Sequence, residues 1–575
     1  MAISKLRREP RPPCAPNAAP QQNPQPPIST LDYNQESTFF GVFSSNHAEQ
    51  FASYAPPILA WRAAGAAQAQ REAAAANVTC PPTALVYACH LAPWGAQSDD
   101  ATVYMKWNLP FALLPMISQW EFTHDAAAAA ALFPLLSGNV DWLGCYLARD
   151  GAGLLHDSNA RNPDAEHEGQ LVPDPQIGMA FAARMAAAAL DVAAGLGAPP
   201  PAAAADVFEH LAPFNTAPAP APPRGSNFTR EAGFRYRGDY RMTNGVPSAD
   251  ACQAACAADG ACSCFTFCPG PATAGCPEGP SCWFYAQGCA GNGGPNATNF
   301  TSGCREPGPP PPPSNGTVWV AFLGATIRDS DTFALYPAFP AEAFSARALP
   351  DAARLTAQAS SPTYGLAPVG QEGRPLDVFS AAVVGLAGAG AVRSPLAATP
   401  EALAAGLRGY CRAALGRNGL NAAPGGGVEN AGLARALTDM LLFSAPLRPA
   451  GVGGAPATWF ARLFAAWPPG EGAAFGGLLA KGGCAWDAAW DSASRAVAPA
   501  VNATPLYKPF PAAPSGACAV AHPWPGADTA RVAVACGGAP ADASWARVPA
   551  AGGEEELVLS FSAGLGQRCE VTLGA

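Results

Sequence analysis

The sequence predicts a mainly α protein: a helical toroid, interrupted by a Cys-rich α+β insert and closed by a C-terminal β-sandwich. Three observations carry this expectation. Long blocks repeat apolar residues at one-face helical spacing, with Gly and Pro breaks between them. Nine of the 18 cysteines fall between Cys252 and Cys304, and proline runs bound that segment on both sides. The final stretch changes to short strand-like runs.

Residues 1–30 form a Pro/Gln-rich tail whose composition predicts disorder. A first helical block spans 31–216. Its clearest helix covers Ile177 to Leu196: Ile177, Phe181, Met185, Ala188 and Val192 share one face, and Gly195, Gly197 and three prolines end it. Another helix follows Asp125, which reads as the N-cap of an Ala run rather than as a catalytic carboxylate. The proline-rich run Ala217–Arg224 leads into the insert, 225–306, and Pro307–Pro313 leads out of it. Stiff linkers of this kind hold an insert away from its host. The second helical block spans 317–500, where Leu433, Ala436, Leu437, Met440 and Leu441 form a stripe that Pro446 terminates. Residues 506–575 predict the sandwich, from Arg531-Val-Ala-Val-Ala, Glu556-Leu-Val-Leu-Ser-Phe561 and Cys569-Glu-Val-Thr-Leu573.

Composition excludes some classes. A chain of 575 residues holds three or four domains at ~150 residues each. Hydrophobic residues make up 49%, enough for a large core, while charged residues are 13% against a usual ~25%. Only four of the 33 basic residues are lysines, and the net charge is −10, so no nucleic-acid partner is expected from overall basicity. The uncharged apolar stretch Val378–Val392 is shorter than the ~20 residues a membrane span needs, so no span is expected. Met1–Thr30 has charges and prolines where a signal peptide has an apolar core, so no signal peptide is read, and a truncated amino terminus is expected.

The cysteines point to an oxidising compartment. The Cys252–Cys304 segment contains no His, and its spacing lacks the paired CxxC pattern of a zinc cluster. Acceptor sequons accompany it at Asn77, Asn227, Asn296, Asn299, Asn315 and Asn502. Together they predict a glycosylated protein of the secretory pathway or extracellular space. Nine is odd, so one thiol of the insert stays free or bonds outside it.

Six segments, in order, resemble the six-hairpin glycosidases, specifically glycoside hydrolase family 95. They are Asp32-Tyr-Asn-Gln-Glu-Ser-Thr-Phe-Phe40 with Asn46-His-Ala-Glu49; Trp120-Glu-Phe-Thr-His-Asp125 with Phe133-Pro-Leu-Leu136 and Tyr146-Leu147; Glu209-His-Leu-Ala-Pro-Phe214; Leu335-Tyr-Pro337; Gly425-Gly-Gly-Val-Glu-Asn430 running into Leu437-Thr-Asp-Met-Leu-Leu442; and Phe464-Ala-Ala-Trp-Pro468 with Leu479-Ala-Lys-Gly-Gly483. The resemblance covers roughly residues 31–490 and implies an (α/α)6 toroid, with the family's amino-terminal β-domain absent. The insert is similar to a PAN/apple module, through Ala251-Cys-Gln-Ala-Ala-Cys256, Ala261-Cys-Ser-Cys-Phe-Thr266 and Ser281-Cys-Trp-Phe-Tyr285. That resemblance implies the pairs Cys252–Cys282 and Cys256–Cys262.

The family resemblance implies inverting hydrolysis of an α-glycosidic bond, with two opposed groups, one protonating the leaving oxygen and one activating water. Four regions are candidates. Asn34 matches one of two asparagines that position the base in the family, and Asp32 stands where the family has the other. Glu166 or Glu168, in Asn162-Pro-Asp-Ala-Glu-His-Glu168, occupies the place of the general acid; the bland reading is a solvated acidic loop. Asp329 or Asp331 supplies the base carboxylate or caps the next helix, and the family's His-rich run near this point is missing. Glu429 and Asn430 contact sugar or cap the following helix. Trp61, Trp94, Trp107 and Trp120 read first as core. His90, His124, His156 and His167 lack metal-ligand spacing, so no metal and no other cofactor is expected. The expected partner is an oligo- or polysaccharide, with a protein or glycan for the insert. The rival readings are a non-catalytic carbohydrate-binding or adhesion protein on a decayed glycosidase scaffold, and a structural wall or matrix component.

Overall fold

The computed structural model describes residues 29–31, 34–91, 106–158, 172–218, 228–232, 240–244, 248–258, 264–268, 281–285, 301–305, 317–319, 335, 337, 339, 341, 380, 383, 399–414, 433–448, 456–508, 516–549 and 555–574. Its first part is helical. Strand β1 (Ser29–Thr30) pairs with β2 (His90–Leu91). Between them lie α1 (Asn34–Ser37), α2 (Ala55–Ala60) and α3 (Arg62–Ala75). Helices α4 (Asn108–Thr123) and α5 (Ala126–Tyr146) form a hairpin. Its turn is made by His124, in the left-handed region at φ 48°, and by Asp125. The Asp125 carboxylate accepts from the Ala127 and Ala128 amides at 2.8 and 3.2 Å, the N-cap that the sequence predicts. The short strands β3 (Ala148–Arg149) and β4 (Leu155–His156) pair before α6 (Gln176–Leu196) and α7 (Ala202–His210). Gly197, at φ 64°, supplies the left-handed C-cap of α6.

Helices α4 and α6 run parallel. Trp107 lies beside Gly178, Phe111 packs on Phe181 with ring centroids 4.6 Å apart, and Trp120 meets Asp191, so the contacts climb both helices together. Both helices are apolar on most sides, as buried helices are, and both are largely buried. Helices α5 and α6 are each 21 residues long and apolar enough to cross a membrane by length and composition, which the reading of Val378–Val392 overlooked. Asp141 in α5 and Arg184 and Asp191 in α6 keep either helix from being an uncharged run. In the structure both helices pack within the helical core.

The insert has its own small core around Cys252, Cys256, Phe265, Phe267 and Cys282. The chain enters it from β5 (Thr216–Pro218). Strands β6 (Phe228–Ala232), β7 (Tyr240–Asn244), β8 (Cys264–Cys268), β9 (Ser281–Tyr285) and β10 (Thr301–Arg305) make one antiparallel sheet in the order β6-β10-β8-β9-β7, and α8 (Ala249–Ala258) packs on it. The chain leaves through β11 (Thr317–Trp319), which pairs antiparallel with β5. The first residues of the proline-rich run are thus half of a two-stranded neck.

After α9 (Pro400–Ala414) and α10 (Leu433–Leu441) the chain turns to strands. These are β12 (Leu442–Arg448), β13 (Thr458–Leu463), β14 (Ala473–Ala480), β15 (Cys484–Asp491), β16 (Ala496–Val497), β17 (Ala500–Pro505), β18 (Gly516–Ala521), β19 (Val532–Cys536), β20 (Ala539–Pro540), β21 (Ala543–Pro549), β22 (Glu555–Ala563) and β23 (Cys569–Leu573). One sheet has the order β12-β13-β18-β22-β21; the other runs β14-β15-β17-β23-β19-β20, with β16 on β15. Leu442, Val520 and Phe561 of the first and Trp486, Val501 and Val571 of the second share one hydrophobic core. The helical block assigned to 317–500, and the start of the β region at 506, are therefore corrected: strands begin at Leu442. Segments such as Ala473-Ala-Phe-Gly-Gly-Leu-Leu-Ala480 are rich in Ala, which favours helix, and tertiary burial overrides that preference.

Candidate active site

The N-terminal ends of α4 and α6 lie together, and two candidate segments border them. Leu31, next to Asp32, donates its amide to the Cys89 carbonyl at 2.8 Å. Two residues before Cys89, the Tyr87 carbonyl accepts from the Asn108 side chain at the start of α4, at 3.3 Å. The segment that carries Glu166 and Glu168 leaves the described chain after Ser158 and rejoins it at Val172, just before α6.

The base of that segment is tightly tied. The Asp174 amide donates to the Asp157 carbonyl at 2.9 Å, and the Asp157 amide donates back to the Asp174 carboxylate at 2.7 Å. The other Asp174 oxygen meets His156 Nδ1 at 2.6 Å, while His156 Nε2 faces Asp150 at 3.3 Å. Asn215 donates its side-chain amide to the Asp174 carbonyl, and its backbone amide donates to Gln176 Oε1 at 3.0 Å. Asp174 holds φ 46°, a costly conformation for a residue with a side chain, which these bonds over-determine. The bond to Asp174, seconded by its charge and by Asp150, raises the His156 pKa. The Leu154 amide, then His156, lowers that of Asp150.

Beside this base, burial and the neighbouring Asp157 carboxylate push the Tyr146 phenol up. Trp142 stacks on Tyr146 with centroids 4.8 Å apart. Gly178 lies where α6 passes this base: a Cβ there would sit 3.4 Å from Asp157 Oδ2, in ordinary van der Waals contact. Lys106, leading into α4, pairs with Glu72. Carboxylates, a histidine and stacked aromatics thus converge at one end of the helical body, where Asp157, Asp174, Trp142 and Tyr146 are buried and His156 is half-buried.

Of the sequence-named residues, Asp32, Glu166, Glu168, Asp329, Asp331, Glu429 and Asn430 lie outside the described residues, as do Asn227, Asn296, Asn299, Asn315, His167 and Trp94. Asn34 opens α1. Trp61, Trp107 and Trp120 are buried core, as their first reading has it. Asn77 is exposed, in a left-handed turn at φ 55° after α3, and Asn502 is half-buried on β17. The Cys252–Cys282 disulfide is present; Cys256 is disulfide-bonded, and Cys262 lies outside the described residues. Three further disulfides, Cys80–Cys145, Cys484–Cys518 and Cys536–Cys569, join cysteines that no local spacing links. The four bonds are compatible with a secretory or extracellular location. Among the described residues, no cluster of three or more His, Cys, Asp or Glu side chains is arranged to hold a metal.

Sequence reasoning passed over the buried charges at the opposite end of α4 and α6. Glu121 meets Arg184 and Lys481, each at 2.9 Å. Asp191 accepts from the Trp120 indole at 2.6 Å and from the Ala457 amide at 2.5 Å. Burial, then Glu121, lifts its pKa to about 6, a value suited to a general acid. Both of its oxygens are engaged by protein donors and the residue is 4% exposed, so its role is structural. The signal was legible: three charges, Glu121, Arg184 and Asp191, interrupt otherwise apolar helices.

Compared with protein-family models and with curated proteins, the chain matches no family and no curated protein.

Proposed function

We propose that this chain is a carbohydrate-active protein of the secretory pathway or extracellular space, a glycoside hydrolase that cleaves α-glycosidic bonds with inversion on an (α/α)6 scaffold. The observation that supports this is the parallel course of α4 and α6. It brings the chain neighbours of Asp32 and of the Glu166–Glu168 segment to one end of the helical body, beside Asp157, His156 and the Trp142–Tyr146 stack. In this reading Glu166 or Glu168 protonates the leaving oxygen. Asp329 or Asp331, with Asp32 and Asn34, activates the water, and Glu429 and Asn430 hold the sugar. An inverting pair needs carboxyl groups ~6.5–9.5 Å apart, with water between them. A second reading, a non-catalytic sugar-binding protein, draws support from Asp32 in place of the family's Asn and from the missing His-rich run.

The test is leaving-group dependence. General acid catalysis contributes about 10²–10⁴-fold. Glu166→Gln or Glu168→Gln should lose that factor on substrates with poor leaving groups and far less on activated aryl glycosides. Equal behaviour of both variants and the parent on both substrate types removes this segment from the acid role. A parent that binds sugar and hydrolyses nothing establishes the second reading.

A further inference from the structure

His156 lies between two carboxylates from different stretches of chain. Its Nδ1 meets Asp174 at 2.6 Å, and its Nε2 faces Asp150 at 3.3 Å. Asp150 belongs to the turn of the β3–β4 hairpin, where its other oxygen accepts the Ala152 and Leu154 amides at 2.9 and 2.8 Å. Asp174 leads into α6, and its other oxygen accepts the Asp157 amide at 2.7 Å. Backbone donors thus fix both carboxylates on either side of the ring.

A neutral imidazole carries one N–H and an imidazolium carries two, while an ionised carboxylate only accepts. Only the charged ring can therefore donate to both aspartates. In the neutral ring the proton stays with the shorter contact, at Nδ1 toward Asp174. Nε2 then turns a lone pair toward the Asp150 carboxylate, and the two repel.

We propose that His156 is a pH-operated latch: charged, it ties the turn of the β3–β4 hairpin to the entry of α6, and neutral, it keeps Asp174 and lets Asp150 go. This inference does not depend on the glycosidase reading.

The charged surroundings of the ring are defined among the described residues. Asp157 follows it in the chain and bonds Asp174, and Tyr146 of α5 faces Asp157. From β3, Arg149 pairs with Asp206 of α7 at 2.5 Å, and His210 of α7 meets the same carboxylate at 2.9 Å. Solvent reaches the ring, whose side chain is 31% exposed. Its bond to Asp174 is the largest influence on its titration and favours the charged form, which burial opposes. The tie to Asp150 is therefore full below ~6.5 and is lost as pH rises through the raised folded value. The hairpin then keeps the Arg149–Asp206 pair and the bond from the Ala212 amide to the Leu155 carbonyl at 2.9 Å. Release is confined to its contact with the entry of α6.

The test is ring ¹⁵N NMR of the whole chain labelled at its seven histidines, with His156 assigned by the signal missing from His156→Gln. At pH 5.5 both ring nitrogens should carry protons. At pH 9 Nδ1 should keep its proton and Nε2 should be bare, the reverse of the tautomer that free histidine favours. Amide exchange, corrected for intrinsic rates, reads the consequence. The Asp150 amide donates to the Leu154 carbonyl at 2.9 Å. Its protection should fall about threefold from pH 5.5 to pH 9 in the parent, the effect of a half-exposed ion pair, and stay level in His156→Gln. A neutral ring at pH 5.5, an Nε2–H tautomer at pH 9, or the same exchange trend in parent and variant would overturn the proposal. Should His156→Gln fail to fold, Asp150→Asn decides: the ring should lose its proton at lower pH and still show the Nδ1–H tautomer at pH 9, and an unchanged titration would overturn the proposal.

Discussion

The Glu121 carboxylate of α4 lies 2.9 Å from the Lys481 ammonium, which reaches it from the turn between β14 and β15. Both side chains are almost fully buried, and Arg184 completes the group. Breaking a buried pair by removing one partner costs roughly 3–5 kcal/mol, because a charge is left uncompensated. Lys481→Met keeps the aliphatic stem near Trp459 and leaves Glu121 with Arg184 alone. We expect a loss of about 3 kcal/mol in urea unfolding followed by near-UV circular dichroism. A loss under about 1 kcal/mol would show that Arg184 suffices.

The insert should be removable. Strands β5 and β11 pair with Pro218 opposite Thr317, so the neck closes where the insert begins. Replacing 219–316 with an Asn-Gly turn should preserve the helical circular-dichroism signal and the unfolding midpoint of the host, because two-residue turns join antiparallel strands without strain. Collapse of the helical signal would make the insert integral.

Legibility followed local physics. The helix predicted over Ile177–Leu196 begins one residue earlier, at Gln176, because a strong apolar stripe and a glycine stop are both local signals. The Asp125 cap and the strands at 532–536, 555–563 and 569–573 were readable for the same reason. The strands from Leu442 to Pro505 were not. Cys484-Ala-Trp-Asp-Ala-Ala-Trp-Asp491 buries Trp486 and Ala488 toward a sheet whose other half arrives more than thirty residues later, so its inward face is set by tertiary contact. Asp174 was also silent in sequence: its left-handed backbone exists only because His156, Asp157 and Asn215 converge on it. The Cys80–Cys145 bond was equally hidden, since the fold alone brings α5 to the end of α3.

His156 should titrate above an ordinary histidine. Its hydrogen bond to Asp174 favours the charged ring, so this stabilisation is full below ~6.5 and is lost as pH rises through the raised folded value. Asp174→Asn should bring the ¹³Cε1 titration of His156 down. An unchanged midpoint would assign the shift to Asp150.

Asn77 should carry a glycan when the chain is secreted from eukaryotic cells. Its sequon ends at Thr79, one residue before Cys80, on an exposed turn. Peptide mass spectrometry should find Asn77 glycosylated and Cys80, Cys145, Cys252, Cys282, Cys484, Cys518, Cys536 and Cys569 blocked to alkylation without reduction. A bare Asn77 together with reactive thiols at those eight positions would contradict the compartment.

Under the proposed function, carbohydrate chemistry takes place at the end of α4 and α6 where Asp157 and His156 lie. The most direct measurement is a panel of aryl α- and β-glycosides incubated with the whole chain, with the first-formed anomer read by proton NMR. At least one α-glycoside should turn over, with the β-anomer appearing first. Absence of turnover across the panel, with no binding of the matching free sugars by calorimetry, would contradict it.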